Sequence, residues 1–203
     1  RIVQTDKNIY KIKPGLYGLK RLKTEIENRG ILVETDKNKD SEEFLVFNHT
    51  YYQVLLLIIG KLKGMSTFAP NQDRNKKFIN NTPLENYRTL EKIPQFSFPK
   101  IIEKSETIDV IWFNERLLPH SFYEVEHSTD FINSLNKFNN LQDFYSRMVM
   151  VSDKKRKEDF LKKYESTSFR DLKKNNRVSF LDYDTLIKQY EYLIEQQNYD
   201  FIL

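Results

Sequence analysis

Three carboxylates stand within two short, otherwise apolar runs, Ile108-Asp109-Val110-Ile111-Trp112 and Tyr123-Glu124-Val125-Glu126-His127. If both runs are strands lying side by side, successive side chains alternate between faces. Glu124 and Glu126 then share one face, and Tyr123, Val125 and His127 the other. Like charges held so close repel, and withdrawing them from water is costly unless positive charge compensates. A divalent cation with oxygen ligands is one compensation, and water on such a cation is a hydrolytic nucleophile. Two solvated glutamates on an exposed strand face are the alternative that the pattern alone leaves open.

The flanking elements must place these groups. Residues 48–64 predict a helix capped by Asn48 or Thr50 and bracketed at its end by Gly60 and Gly64. Val54, Leu55, Leu57, Ile58 and Leu62 make it apolar enough to pack on a sheet, with Gln53 near its start within reach of a site at the sheet edge. Residues 71–100 read as a long surface excursion with a short helix near 84–90 and an extended run through Pro94 and Pro99. After the carboxylate strands, Ser128 or Thr129 caps a helix running to about Arg147, with Phe131, Ile132, Leu135, Phe138, Leu141 and Tyr145 as its stripe. A strand at 148–151, a basic helix at 155–164, a strand at 178–181 and a helix at 185–195 follow. Strand–helix–strand–helix after a hairpin predicts an α/β fold, a mixed sheet with helices on both faces.

The 203 residues suffice for one substantial domain, and 15 Phe and 12 Tyr supply core volume that one alanine, Ala69, does not. No cysteine is present, which excludes disulfides and thiolate metal sites and suits a reducing cytoplasm. His49, His120 and His127 are too scattered along the chain to predict a zinc-type histidine cluster. The longest apolar run, 54–60, is far too short to span a bilayer, so no membrane association is expected. Net charge is only +4, but residues 147–177 hold eleven Lys or Arg against five Asp or Glu. Lys154-Lys155-Arg156-Lys157 is the sharpest part and a candidate for phosphate contacts; a solvated helix face is the plainer reading. Residues 1–43 read as a leading segment, a hairpin turning at Pro14-Gly15, a short helix closed by Gly30 and a polar linker, ahead of a main domain at 44–203.

The order of helix, strand with Asp109, strand with Glu124-Val125-Glu126, helix, strand and helix resembles the PD-(D/E)xK core of restriction endonucleases over residues 45–203. Its pieces are Asn48-His49-Thr50-Tyr51-Tyr52-Gln53, Ile108-Asp109-Val110-Ile111-Trp112 and Tyr123-Glu124-Val125-Glu126-His127-Ser128-Thr129. The resemblance implies a restriction-endonuclease-like mixed central sheet flanked by helices and Mg²⁺-dependent (or Mn²⁺-dependent) hydrolysis of DNA phosphodiesters. It makes Asp109 and Glu124 the metal ligands and puts Glu126 where the family usually carries Lys. A Glu there orients or deprotonates water but cannot stabilise negative charge. Lys137, one helix onward, is the candidate for a relocated positive charge, and Gln53 for an accessory amide. The expectation is a cytoplasmic type II restriction-like endonuclease of a defence system, acting on double-stranded DNA as a homodimer when both strands are cut. A noncatalytic DNA-binding or regulatory protein that kept the nuclease fold is the alternative. Residues 10–19 resemble the wing of a winged-helix module fused to such nucleases. With Arg1 in place of an initiator Met, they suggest the C-terminal part of a longer DNA-binding protein.

Overall fold

In the computed structural model, which describes residues 9–13, 16–35, 37–127, 130–174 and 176–200, the leading segment forms the expected antiparallel hairpin. It joins β1 (Ile9–Lys13) to β2 (Leu16–Leu19); the Pro14-Gly15 turn lies outside the described residues. A 3-10 turn leads into α1 (Lys23–Asn28), after which Gly30 adopts φ +71, a conformation that glycine takes without penalty. Ile12 and Ile31 bury against Phe47 of the next helix. That helix, α2 (Glu42–Leu62), starts earlier than the sequence predicted. The Ser41 side chain, rather than Asn48 or Thr50, accepts from the Phe44 N–H at 3.2 Å, and Glu42 and Glu43 occupy the positive end of the helix dipole. The polar run read as a linker therefore supplies the cap and first turn.

Five strands form the main sheet in sequence order. β3 (Ser66–Phe68), β4 (Val110–Phe113) and β5 (Pro119–Glu126) are antiparallel neighbours. β6 (Arg147–Ser152) and β7 (Val178–Asp182) extend the sheet in parallel with β5. Between β3 and β4, residues 71–100 pass through three 3-10 turns and reach α3 (Pro99–Ser105). The extended reading at Pro99 is thus corrected: proline is the first residue of the helix, where its missing N–H has no partner to lose. The crossovers are α4 (Phe131–Asn139), then α5 (Lys157–Tyr164) with α6 (Arg170–Lys174), and the last helix is α7 (Tyr183–Asp200).

Strand alternation divides the core. Val110, Trp112, Tyr123, Val125 and Val151 face α2 and α7, whereas Ile111, Phe113, Phe122, Met148 and Met150 face Phe131, Leu135, Phe138, Phe160 and Leu172. The mixed sheet with helices on both faces is the architecture expected, consistent with a restriction-endonuclease-like fold. Helix boundaries beyond that of α2 differ as well, and α7 is longer at both ends than the expected 185–195. α4 stops at Asn139, in an Asn pair of poor helix propensity, and not near Arg147. Tyr145 consequently leaves the buried stripe and is 96% exposed. The predicted caps Ser128 and Thr129 lie outside the described residues; Asp130 caps α4, accepting from the Ile132 N–H at 3.1 Å. The basic run 154–156 is a 3-10 turn capped by Asp153 ahead of α5. Among the described residues no helix is long and apolar enough to cross a membrane.

Candidate active site

β4 and β5 are offset so that β5 runs past the start of β4, with Val110 opposite Tyr123. The Val125 N–H is taken by Asp109 Oδ2 at 2.8 Å, while the Asp109 N–H donates to Glu124 Oε1 at 3.2 Å. Asp109 and Glu124 thus lock each other into register at the strand ends. Glu124 and Glu126 point to one face, as alternation predicts, and meet α4 there. Ser134 Oγ lies within hydrogen-bond distance of both carboxylates, Glu124 Oε2 at 3.0 Å and Glu126 Oε1. One hydroxyl proton serves only one acceptor at a time, so the trio accommodates an additional proton.

Lys137, one turn along α4, donates to Glu124 Oε2 at 2.8 Å and to the Thr107 carbonyl at 2.8 Å. It is not a free surface lysine; the protein itself supplies part of the positive charge that the carboxylates demand. From the other side of the sheet, α2 brings His49 Nε2 to 3.6 Å from Asp109 Oδ1. Gln53 is fully buried, and its Nε2 donates to Asp73 Oδ2 at 2.9 Å and to the Asp109 carbonyl at 3.2 Å. Asp73 also pairs with Lys76 Nζ at 2.6 Å. A cleft of about 320 Å³ opens over these groups, lined among others by His49, Lys76, Asp109, Glu124, Glu126 and Lys137.

Protonation follows burial and neighbours. Burial and the Asp109 charge push the Glu124 carboxyl well above its ordinary value, against the pull of Lys137. Burial likewise raises Glu126, opposed by the hydrogen bond from Ser134. Burial also acts on Asp109, but His49 outweighs it and holds that carboxyl below its ordinary range. Burial disfavours a charged His49 ring, yet Asp109 raises its pKa on balance. One carboxyl pulled down beside two pushed up is a separation of acidities suited to acid–base work.

Asp109, Glu124, Glu126, Lys137 and Gln53 are therefore brought together. Sequence alone assigns no role to His49, Asp73, Lys76 and Ser134, which join them. Asp73 and Lys76 sit in the 71–100 excursion, where no periodicity signals a site. Ser134 and Lys137 share a face of α4 by three-residue spacing, the one signal that the sequence offers. Ligand atoms of His49, Asp73 and Asp109 lie within 4.8 Å of one another, so three chemically suitable groups converge on one point. The buried Gln53 Oε1 has no donor among the described residues, which fits a hydrated ion nearby. His127, placed on the opposite face, hydrogen-bonds Tyr183 Oη at 2.7 Å and Asn48 at 3.2 Å, and its ring comes within 6.2 Å of His49.

The basic run lies at the same end of the sheet as the carboxylates, since it follows Ser152, the register partner of Glu126. Lys154, Lys155 and Lys157 are exposed. Arg156 is not equivalent to them: its guanidinium stacks on the Phe131 ring at 4.3 Å and reaches Asp159 at 4.0 Å. Residues 31–201 match the family profile described as the type II restriction enzyme NmeDI C-terminal domain. No curated protein and no solved structure matches the chain.

Proposed function

As the chain belongs to the type II restriction enzyme NmeDI C-terminal domain family, we propose that it is a divalent-metal-dependent DNA endonuclease of the PD-(D/E)xK kind in a Glu-x-Glu form. The observation that carries this reading is the convergence of Asp109, Glu124, Glu126 and Lys137 in one cleft at the end of the β4–β5 hairpin. Asp109 and Glu124 would hold Mg²⁺ or Mn²⁺, which when bound would supply electrophilic assistance at the phosphate and lower the pKa of a water. Glu126 accepts the proton of the attacking water, with Ser134 fixing the carboxyl orientation. Lys137 carries the positive charge that Glu126, standing in the usual lysine position, cannot, and would offset charge developing at the scissile phosphate. Lys154, Lys155 and Lys157 hold the DNA backbone beside the cleft. The leading hairpin belongs to a winged-helix module, and cutting both strands calls for a C2 homodimer.

One feature favours a second reading, a noncatalytic DNA-binding protein: Lys137 Nζ already pairs with the Glu124 carboxylate, and the Ser134 hydroxyl lies within hydrogen-bond distance of the same oxygen. Plasmid DNA incubated with Mg²⁺ or Mn²⁺ separates the two. Cleavage by the wild-type chain, abolished in Asp109→Ala and reduced at least about a hundredfold in Lys137→Met, is expected of the nuclease. Metal-independent DNA binding with no cleavage in either ion supports the regulator.

A further inference from the structure

We propose that the cation held at Asp109 is completed by His49 and Asp73, forming a mixed nitrogen–oxygen site that selects a first-row transition ion such as Mn²⁺ over Mg²⁺. This rests on the reading above that Asp109 binds a divalent cation, and it adds two ligands from segments outside the carboxylate hairpin. His49 comes from α2, Asp73 from the 3-10 turn after β3, and Asp109 from the residue before β4. Their ligand atoms nevertheless lie within 4.8 Å of one another. His49 Nε2 and Asp109 Oδ1 are 3.6 Å apart, too long for a good hydrogen bond. Adjacent ligands of an ion bound at about 2.1 Å stand about 3 Å apart, so a small side-chain adjustment closes the site.

The second observation is Gln53. Its buried Nε2 donates to the Asp73 carboxylate and to the Asp109 main-chain carbonyl, so one outer group orients the Asp73 ligand and ties it to the backbone that carries Asp109. The Oε1 of the same amide is buried without a donor among the described residues, and water on a bound cation is a donor of the kind it lacks. Lys76 Nζ competes for Asp73 at 2.6 Å, but its side chain lies at the cleft, with room to withdraw when a cation takes the carboxylate. A neutral imidazole in the ligand set matters for selectivity. Mg²⁺ takes oxygen ligands and keeps its waters, whereas imidazole suits the later ions and Mn²⁺ accepts both donor types.

The test is titration of the full chain with Mn²⁺ alone, followed by pulsed EPR for ligand-nitrogen modulation and by calorimetry. Bound Mn²⁺ with modulation from one imidazole is expected in the wild type. His49→Gln should abolish the modulation and weaken Mn²⁺ at least about tenfold, the loss seen even for groups that only support a ligand. Asp73→Asn should weaken binding while keeping the modulation, and Mg²⁺ at equal concentration should not displace Mn²⁺. Mn²⁺ bound without nitrogen modulation overturns the His49 site yet leaves a cation on Asp109 and Glu124. No bound Mn²⁺ in the wild type overturns both readings. The wild-type spectrum decides even where a variant fails to fold.

Discussion

At Glu124 and Glu126 the fold holds protons that an unfolded chain would release. Both carboxyls sit above their ordinary value of 4.5, and His49 sits above its ordinary 6.5. Between those ordinary values and the raised ones the native state binds more protons, so its stability falls as pH rises through that window. Asp109 works the other way, its stabilisation being lost only as pH drops below its ordinary 3.8. The metal-free melting temperature is therefore expected to decline as pH rises above these ordinary values and through the raised ones, and Mn²⁺ should recover it at the upper end of that window by replacing the protons. Glu126→Gln, uncharged throughout, should flatten the decline; a profile identical to wild type would remove Glu126 from this account. Lys137→Met tests the other partner. It leaves Glu124 buried with one hydrogen-bond donor fewer, and because the lysine is partly solvated the expected destabilisation is about 1–3 kcal/mol in urea unfolding, larger at high pH than at low.

Between elements, the feature that seats α2 on the sheet is Gly60 under Trp112. A Cβ at Gly60 would stand 2.6 Å from both Thr67 Cγ2 and Trp112 Nε1, and that indole N–H is committed to the Leu56 carbonyl at 3.0 Å. Gly60→Ala gains about 1 kcal/mol of helix propensity but overpacks at a cost of about 1–3 kcal/mol. A lower urea midpoint with a shifted Trp112 emission is expected, and since this is the only tryptophan the signal is unambiguous. Elements of this kind were legible where period and length agreed: the apolar helix, the hairpin and both parallel strands follow from alternation and stripes. The sequence could also pair Glu124 with Glu126, because strand parity is a local property. It could not place Asp73 or Lys76, which reach the site through turns whose course depends on tertiary interactions such as the Gln53 bond. Lys137 shows the intermediate case: its helix face was readable, but whether that face met solvent or Glu124 depended on the packing of α4. Similarly, the apolar period of α4 continues along the sequence to Tyr145, while the chain leaves the helix at Asn139.

Across the whole molecule, the parallel strands β5 and β6 end together, which puts the carboxylate cleft and the 154–157 turn on one edge of the sheet. A net charge of +4 is too small to hold DNA by itself, so the local distribution must do so if the nuclease reading holds. Three of the four basic residues face solvent, whereas Arg156 is engaged with Phe131 and with the electrostatics of Glu126. The two groups should therefore fail differently. Each phosphate-neutralising cation removed reduces the slope of log affinity against log salt by about 0.9, so the triple variant Lys154→Ala, Lys155→Ala, Lys157→Ala should flatten it by up to about 2.7 with its melting temperature unchanged. Arg156→Ala should instead lower the melting temperature, because it removes a stacked guanidinium from the edge of the core, and move the slope by no more than a single phosphate's share. Fluorescence anisotropy on a duplex across a salt series measures both slopes. An unchanged slope in the triple variant would mean that the lysines are a solvated face and that DNA enters the cleft from another side.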